Sequence, residues 1–170
     1  MPKYDANYAA DRAEIEDLMA RYLFALDWND FDGFAATLTE DAELEFARGN
    51  IVGRDNIVDA IRGFKERIVQ IYCDVDGNPG VLRHVLGQTV IRVDGDRAWA
   101  RAFWQEMSNE GPRNEHDRLT PVLGTFGIYE DELVKQNGEW LFSRRRILNE
   151  FLPGRESSAE NPVIAMDRAD

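Results

Sequence analysis

Apolar positions in the N-terminal part of the chain recur with a helical period, and those after residue 81 recur with a strand period. Ile15, Leu18, Met19, Tyr22, Leu23 and Leu26 stand at i, i+3, i+4, i+7, i+8 and i+11, which predicts one amphipathic helix ending near Asp27. Asp5, Asp11, Glu14, Glu16 and Asp17 crowd its N-terminal half, where the helix dipole favours acids. A short second helix is expected over residues 30–38, capped by Asn29 or Asp30, with Phe31, Phe34 and Leu38 on one side. Residues 42–46 alternate as a short strand, Arg48-Gly49-Asn50 is a turn, and Ile51-Val52 is extended again. Gly53-Arg54-Asp55 opens a third helix with Asp55 as its N-cap, and Ile57, Ile61, Phe64, Ile68 and Ile71 form its buried side.

A turn cluster at residues 74–80 ends this helical half. Four long strands follow over residues 81–93, 98–107, 120–134 and 140–151. Asp94-Gly95-Asp96 and Gln136-Asn137-Gly138 are hairpin turns, and residues 109–118 form a polar loop carrying His116. Gly87 and Gly124 are isolated strand glycines, read as bends. Helices first and a meander afterwards is an α+β order, and a curved sheet of this kind folds over its helices and encloses a pocket. The expected division is one domain over residues 1–152 and a tail over residues 153–170, since residues 156–170 are polar without a clear period.

Composition narrows the partners. With 170 residues, 44% of them hydrophobic, the chain suits one domain with a sizeable core. Its net charge of -12 argues against nucleic acid and anionic membrane, which need basic surface. Cys73 is the one cysteine, so neither a disulfide framework nor a cysteine-rich metal site is expected. The N-terminus lacks a signal-like apolar run, and the expectation is a cytoplasmic protein.

Two residues stand out chemically. Asp27 lies at the edge of the first helix's apolar stripe, in the last turn, where the negative end of the dipole disfavours its ionised form. On that basis it reads equally as a working carboxylate or as a solvated helix end. His84 sits in the apolar stretch Val81-Leu82-Arg83-His84-Val85-Leu86, and period two places it on one face with Leu82, Leu86, Gln88 and Val90. An inward histidine is often only a core residue, but its ring N–H needs a partner, and Asp27 would supply one if the first helix crosses the sheet. Such a pair acts as a base. Trp104 and Phe126, with Tyr129, are candidate aromatic walls for a flat apolar ligand, and Arg83, on the opposite strand face, is expected in a surface or interface ion pair. No phosphate-binding loop or metal-ligand cluster is visible, so no cofactor is expected.

The order of several segments resembles the SnoaL-like group of the NTF2-like superfamily. The segments are Tyr22-x-x-x-x-Asp27, Gly53-Arg54-Asp55-x-Ile57, Arg83-His84, Val93-Asp94-Gly95-Asp96-x-Ala98, and Tyr129-x-Asp131-x-Leu133 through Gly138-x-Trp140-x-Phe142 to Arg145-Arg146. The resemblance covers residues 11–151. It implies a cone, a strongly bent antiparallel sheet wrapped around three N-terminal helices with a pocket at its open end. In the dehydratase-like branch, an aspartate ending helix 1 supports a histidine on the first long strand, positions matched by Asp27 and His84. Tyr22 resembles a tyrosine assisting the leaving oxygen, and Arg146, or else Arg144 or Arg145, a pocket arginine. Scytalone dehydratase has a second histidine on the neighbouring strand, whereas His116 falls in a loop.

The resemblance implies a cofactor-independent lyase, dehydratase-like, acting on a hydroxylated aromatic, polyketide or steroid-like molecule. The same dyad would serve an isomerase, a cyclase or a formaldehyde-releasing retro-aldol lyase on lignin-derived aromatics. A non-catalytic ligand-binding protein and a dioxygenase small subunit are the readings from other classes. A homodimer or homotrimer formed through the outer sheet face is expected.

Overall fold

The computed structural model describes residues 4–47 and 49–168; Arg48 of the expected turn, residues 1–3 and residues 169–170 lie outside the described residues. Its elements are α1 (Ala6–Trp28), α2 (Phe31–Ala36), β1 (Leu38–Phe46), β2 (Gly49–Val52), α3 (Arg54–Ile71), β3 (Leu82–Asp94), β4 (Arg97–Ser108), β5 (Val122–Gln136), β6 (Glu139–Ile147) and α4 (Pro162–Arg168). The six strands form one open, curved sheet in the order β2-β1-β6-β5-β4-β3. It is the α+β cone expected, with one refinement. β1 starts at Leu38, earlier than its alternation indicated, and its ladder with β6 is parallel while the others are antiparallel.

The stripe of α1 explains its seat on the sheet. Ile15, Leu18, Met19, Tyr22 and Leu23 are buried in the central core, with Leu26 packed at its margin. Asp5 caps the start by accepting from the Tyr8 N–H. Asn29 ends the helix in the left-handed conformation, and Asp30 caps α2 by accepting from the Gly33 N–H. The Asp27 side chain is therefore free of capping duty. Asp55 is not the cap of α3. Gly53, at φ +91, holds that position in a region only glycine adopts easily, and Asp55 lies one step inside, in the first turn. Ile57 and Ile61 of α3 are buried, but Ile71 is exposed because the helix outruns the core.

The segment read as a tail contains α4, which packs on β4 and buries Met166. No helix among the described residues is long and apolar enough to cross a membrane.

Two glycines mark irregularities in the sheet. The β3–β4 register shifts between Leu86 and Thr89, where Gly87 and Gln88 face only Phe103. The β4–β5 register shifts between Gln105 and Met107, where Gly124 and Thr125 face only Glu106. Each is a bulge that bends its strand. The first also reverses which side chains of β3 face inward. Leu82, His84 and Leu86 point inward below it, but above it Ile91 is the buried residue and Gln88 and Val90 are exposed. The common face expected for His84, Gln88 and Val90 ends at Leu86, since an extra residue inverts the alternation.

Asp131 on β5 and Arg145 on β6 are cross-strand neighbours with fully buried side chains, joined by two hydrogen bonds of 2.8 Å. The Arg145 guanidinium lies 4.0–4.3 Å from the ring centres of Tyr22, Tyr129 and Phe142. Burial works against its charge, but Asp131 more than offsets this and holds it protonated. Asp131→Ala, which strands that charge, is expected to lose about 3–5 kcal/mol in urea unfolding. Asp131→Leu combined with Arg145→Met should lose less, because no charge is then left unpaired.

Candidate active site

Asp27 and His84 come together because α1 ends where β3 begins. Asp27 Oδ1 lies 2.6 Å from His84 Nδ1, and Oδ2 accepts the backbone N–H of His84 at 2.7 Å. The side chains are 4% and 15% exposed, so this contact is largely shielded from water. A carboxylate has only lone pairs to offer, so Nδ1 carries the proton and Nε2 is left as the basic nitrogen. Arg83 closes the outer side. Its guanidinium stacks 3.8 Å from the Trp28 ring centre and donates to the carbonyls of Leu82 and Asp27, so it finds an indole and a helix C-terminus rather than the carboxylate partner expected.

The His84 ring borders a cavity of about 420 Å³ between α3 and the sheet. Tyr22, Leu26, Phe64, Trp104 and Tyr129 line it, together with Glu106 and Lys65. Trp104 stacks on Tyr129 with ring centres 5.6 Å apart and anchors its indole N–H on the Leu148 carbonyl. A larger depression of about 930 Å³ beside α1 and α2 is shallow and acid-lined, and His84 is not among its walls. A smaller hollow of about 340 Å³ between α1 and β3 is lined by Asp27, Trp28, Arg83 and His84, while the cavity between α3 and the sheet is the one that combines His84 with the aromatic walls. Among the described residues, no group of three or more His, Cys, Asp and Glu is placed to hold a metal ion.

The Tyr22 hydroxyl is buried without a well-formed hydrogen bond among the described residues. Burial pushes the phenol up, against the Arg145 charge, so it stays protonated and can donate. Phe126 is not a wall of this cavity. It packs with Phe103 and Phe151 on the outer sheet face, because it stands three residues from Tyr129 on an unbroken stretch of β5. Arg146 is not a pocket group either. It is partly exposed and pairs with Glu45 and Glu130, while Arg144 pairs with Glu43, Glu45 and Glu132. The inward arginine is Arg145, which is committed to Asp131. His116 is exposed in the 109–121 loop.

Two residues went unnoticed in the sequence. Glu106 is the direct cross-strand partner of His84. Counting regular pairs from the 94–97 turn would have put Met107 there, and the Gly87 bulge shifts the partner by one. Gly124 gives the carboxyl room, since a Cβ there would meet Glu106 Oε1 at 2.9 Å. Burial pushes the Glu106 carboxyl up, against the pull of His84. Lys65 reaches the cavity from α3, and burial pulls its amine down.

Comparison with known proteins agrees with this architecture. The sequence matches the family described as a SnoaL-like domain over residues 7–146. The uncharacterized protein Rv2910c of Mycobacterium tuberculosis is 33% identical over 138 residues, covering 80% of this chain and 83% of its own. The structure of Rv3472, a protein of unknown function from the same species, is 27% identical and covers 89% of this chain and 84% of its own, with a TM-score of 0.66. A Novosphingobium aromaticivorans protein, provisionally named a scytalone dehydratase, is 22% identical over 95% of this chain and 97% of its own, with a TM-score of 0.64.

Asp27→Ala leaves two shielded donors of His84 without an acceptor, and each should cost about 1–3 kcal/mol in thermal or urea unfolding. Asp27→Asn keeps an acceptor oxygen and is expected to lose less stability than Asp27→Ala.

Proposed function

The chain belongs to the SnoaL-like domain family, and on that premise we propose that it is a cofactor-independent lyase, dehydratase-like, using the Asp27–His84 pair as its base. The observation that carries this reading is the two-point contact of Asp27 with His84, which leaves the second ring nitrogen basic at the wall of an apolar cavity. The cavity volume and its Trp104–Tyr129 stack suit a hydroxylated aromatic or polycyclic molecule.

In a dehydration, His84 Nε2 takes a proton from carbon and the C–H electron pair becomes the new double bond. The C–O bond breaks, and the imidazolium returns its proton to the leaving hydroxide, so that water departs and the base is restored. Tyr22, held protonated by burial, donates a hydrogen bond to the oxygen on which charge develops. Isomerisation and retro-aldol cleavage draw on the same base. The same reading includes self-association through the outer sheet face, where Val85, Met107 and Leu123 are exposed.

The test is a panel of hydroxylated polycyclic and polyketide-type alcohols, followed by absorbance and by mass loss of one water. Wild-type protein should turn over at least one of them. His84→Ala should lower that rate by about 10²- to 10⁴-fold. An unchanged rate in His84→Ala, or binding without turnover throughout the panel, overturns the lyase reading.

A further inference from the structure

Two cations line the cavity outside the dyad chemistry: Arg155, which pairs with Glu45, and Lys65, which has no such pair among the described residues. Lys65 lines the cavity with Ile61, Phe64 and Ile68 of the same helix, and Trp104 and Tyr129 of the sheet are among its other walls. It makes no hydrogen bond or ion pair among the described residues, and its links to Asp27 and Glu106 are longer-range attractions opposed by Arg83. Neither carboxyl is paired with it. Both oxygens of Asp27 are occupied by His84. Glu106 makes no hydrogen bond or ion pair with the ammonium and acts on it only at longer range.

A half-buried ammonium without an ion-pair partner at the wall of a largely apolar cavity is unfavourable in the empty protein, and an anionic ligand removes the penalty. Lys65 is thus the unpaired cation of the lining, beside Glu106, Thr125 and Asn149, and the remaining walls are largely apolar. At neutral pH an ordinary phenol keeps its proton, whereas a carboxylic acid is ionised and lies in the plane of the ring that carries it, so an aromatic carboxylate meets these conditions.

We infer that the cavity takes a planar, largely apolar carboxylic acid and that Lys65 receives its carboxylate. This rests on the cavity being the ligand site, as in the lyase reading, and narrows the substrate to aromatic or polycyclic acids. Glu106 then modulates affinity. It is faced by His84 from β3, Asp27 from α1, Lys65 from α3, and Glu110 beyond the end of its own strand. When ionised it repels the ligand. Affinity for an acid therefore rises as pH falls through the range in which Glu106 takes up its proton, for as long as the ligand stays ionised.

The experiment is calorimetric titration of the full chain with 2-naphthoate and with its neutral isostere 2-naphthamide. Wild-type protein should bind the acid at least about ten-fold tighter than the amide, the worth of one charge-assisted contact. Lys65→Met and Lys65→Gln should abolish that preference, Lys65→Arg should retain it, and Glu106→Gln should tighten the acid at neutral pH and flatten its pH dependence. Equal affinities in wild type, no binding of either probe at millimolar concentration, or an undiminished preference in Lys65→Met overturns the inference. Loss of the preference alongside a His84-dependent turnover defeats the inference alone. A Lys65-dependent preference in a protein whose turnover survives His84→Ala defeats the lyase reading alone.

Discussion

One carboxylate ties the end of the first helix to the beginning of the first long strand. Asp27 accepts from both the ring and the backbone of His84, so it fixes the position of β3 and the tautomer of its histidine together. A single hydrogen bond would orient the ring only loosely, whereas two from the same residue leave little freedom. The other end of α1 is pinned to the same strand, since Tyr8 donates to the Ile91 carbonyl and Arg12 to the Thr89 carbonyl. Helix and strand are thus joined on both sides of the bulge at Gly87. The core stripe of α1 supplies the burial, and these polar contacts set the register.

The bulges convert a regular sheet into a site. An unbroken β3 would keep one alternation throughout, forcing either the core residue Ile91 or the pocket residue His84 to the wrong face. The extra residue lets both point inward. It also brings Glu106 opposite the imidazole, and the second bulge leaves Gly124 where any side chain would press on that carboxyl. The sheet curves at the same places, since a bulge adds local twist and bend.

Charge is handled in two ways within a short distance. Asp131 and Arg145 are fully buried, joined by two hydrogen bonds and surrounded by aromatic rings, with Arg145 Nη1 left without a partner among the described residues. Lys65 and Glu106, at the cavity wall, are partly buried and not in contact with each other, and burial moves both toward neutrality. Perturbed groups of this kind gather where function requires them.

Much was legible before any coordinates. The 3.6-residue stripe of α1, the hairpin turns, the α+β order, and the inward placing of His84 and Trp104 follow from local periodicity and turn chemistry, which a single chain carries on its face. The opposite facing of Phe126 and Tyr129 was also there to be read, because residues three apart on a regular strand never share a face. The partner of His84 on β4, the choice of Arg145 rather than Arg146 as the inward arginine, and the arrival of Lys65 from α3 were not legible. Each depends on strand register and helix docking, and one inserted residue shifts every cross-strand pair beyond it. Periodicity says which residues face inward, and only the assembled sheet says which of them meet.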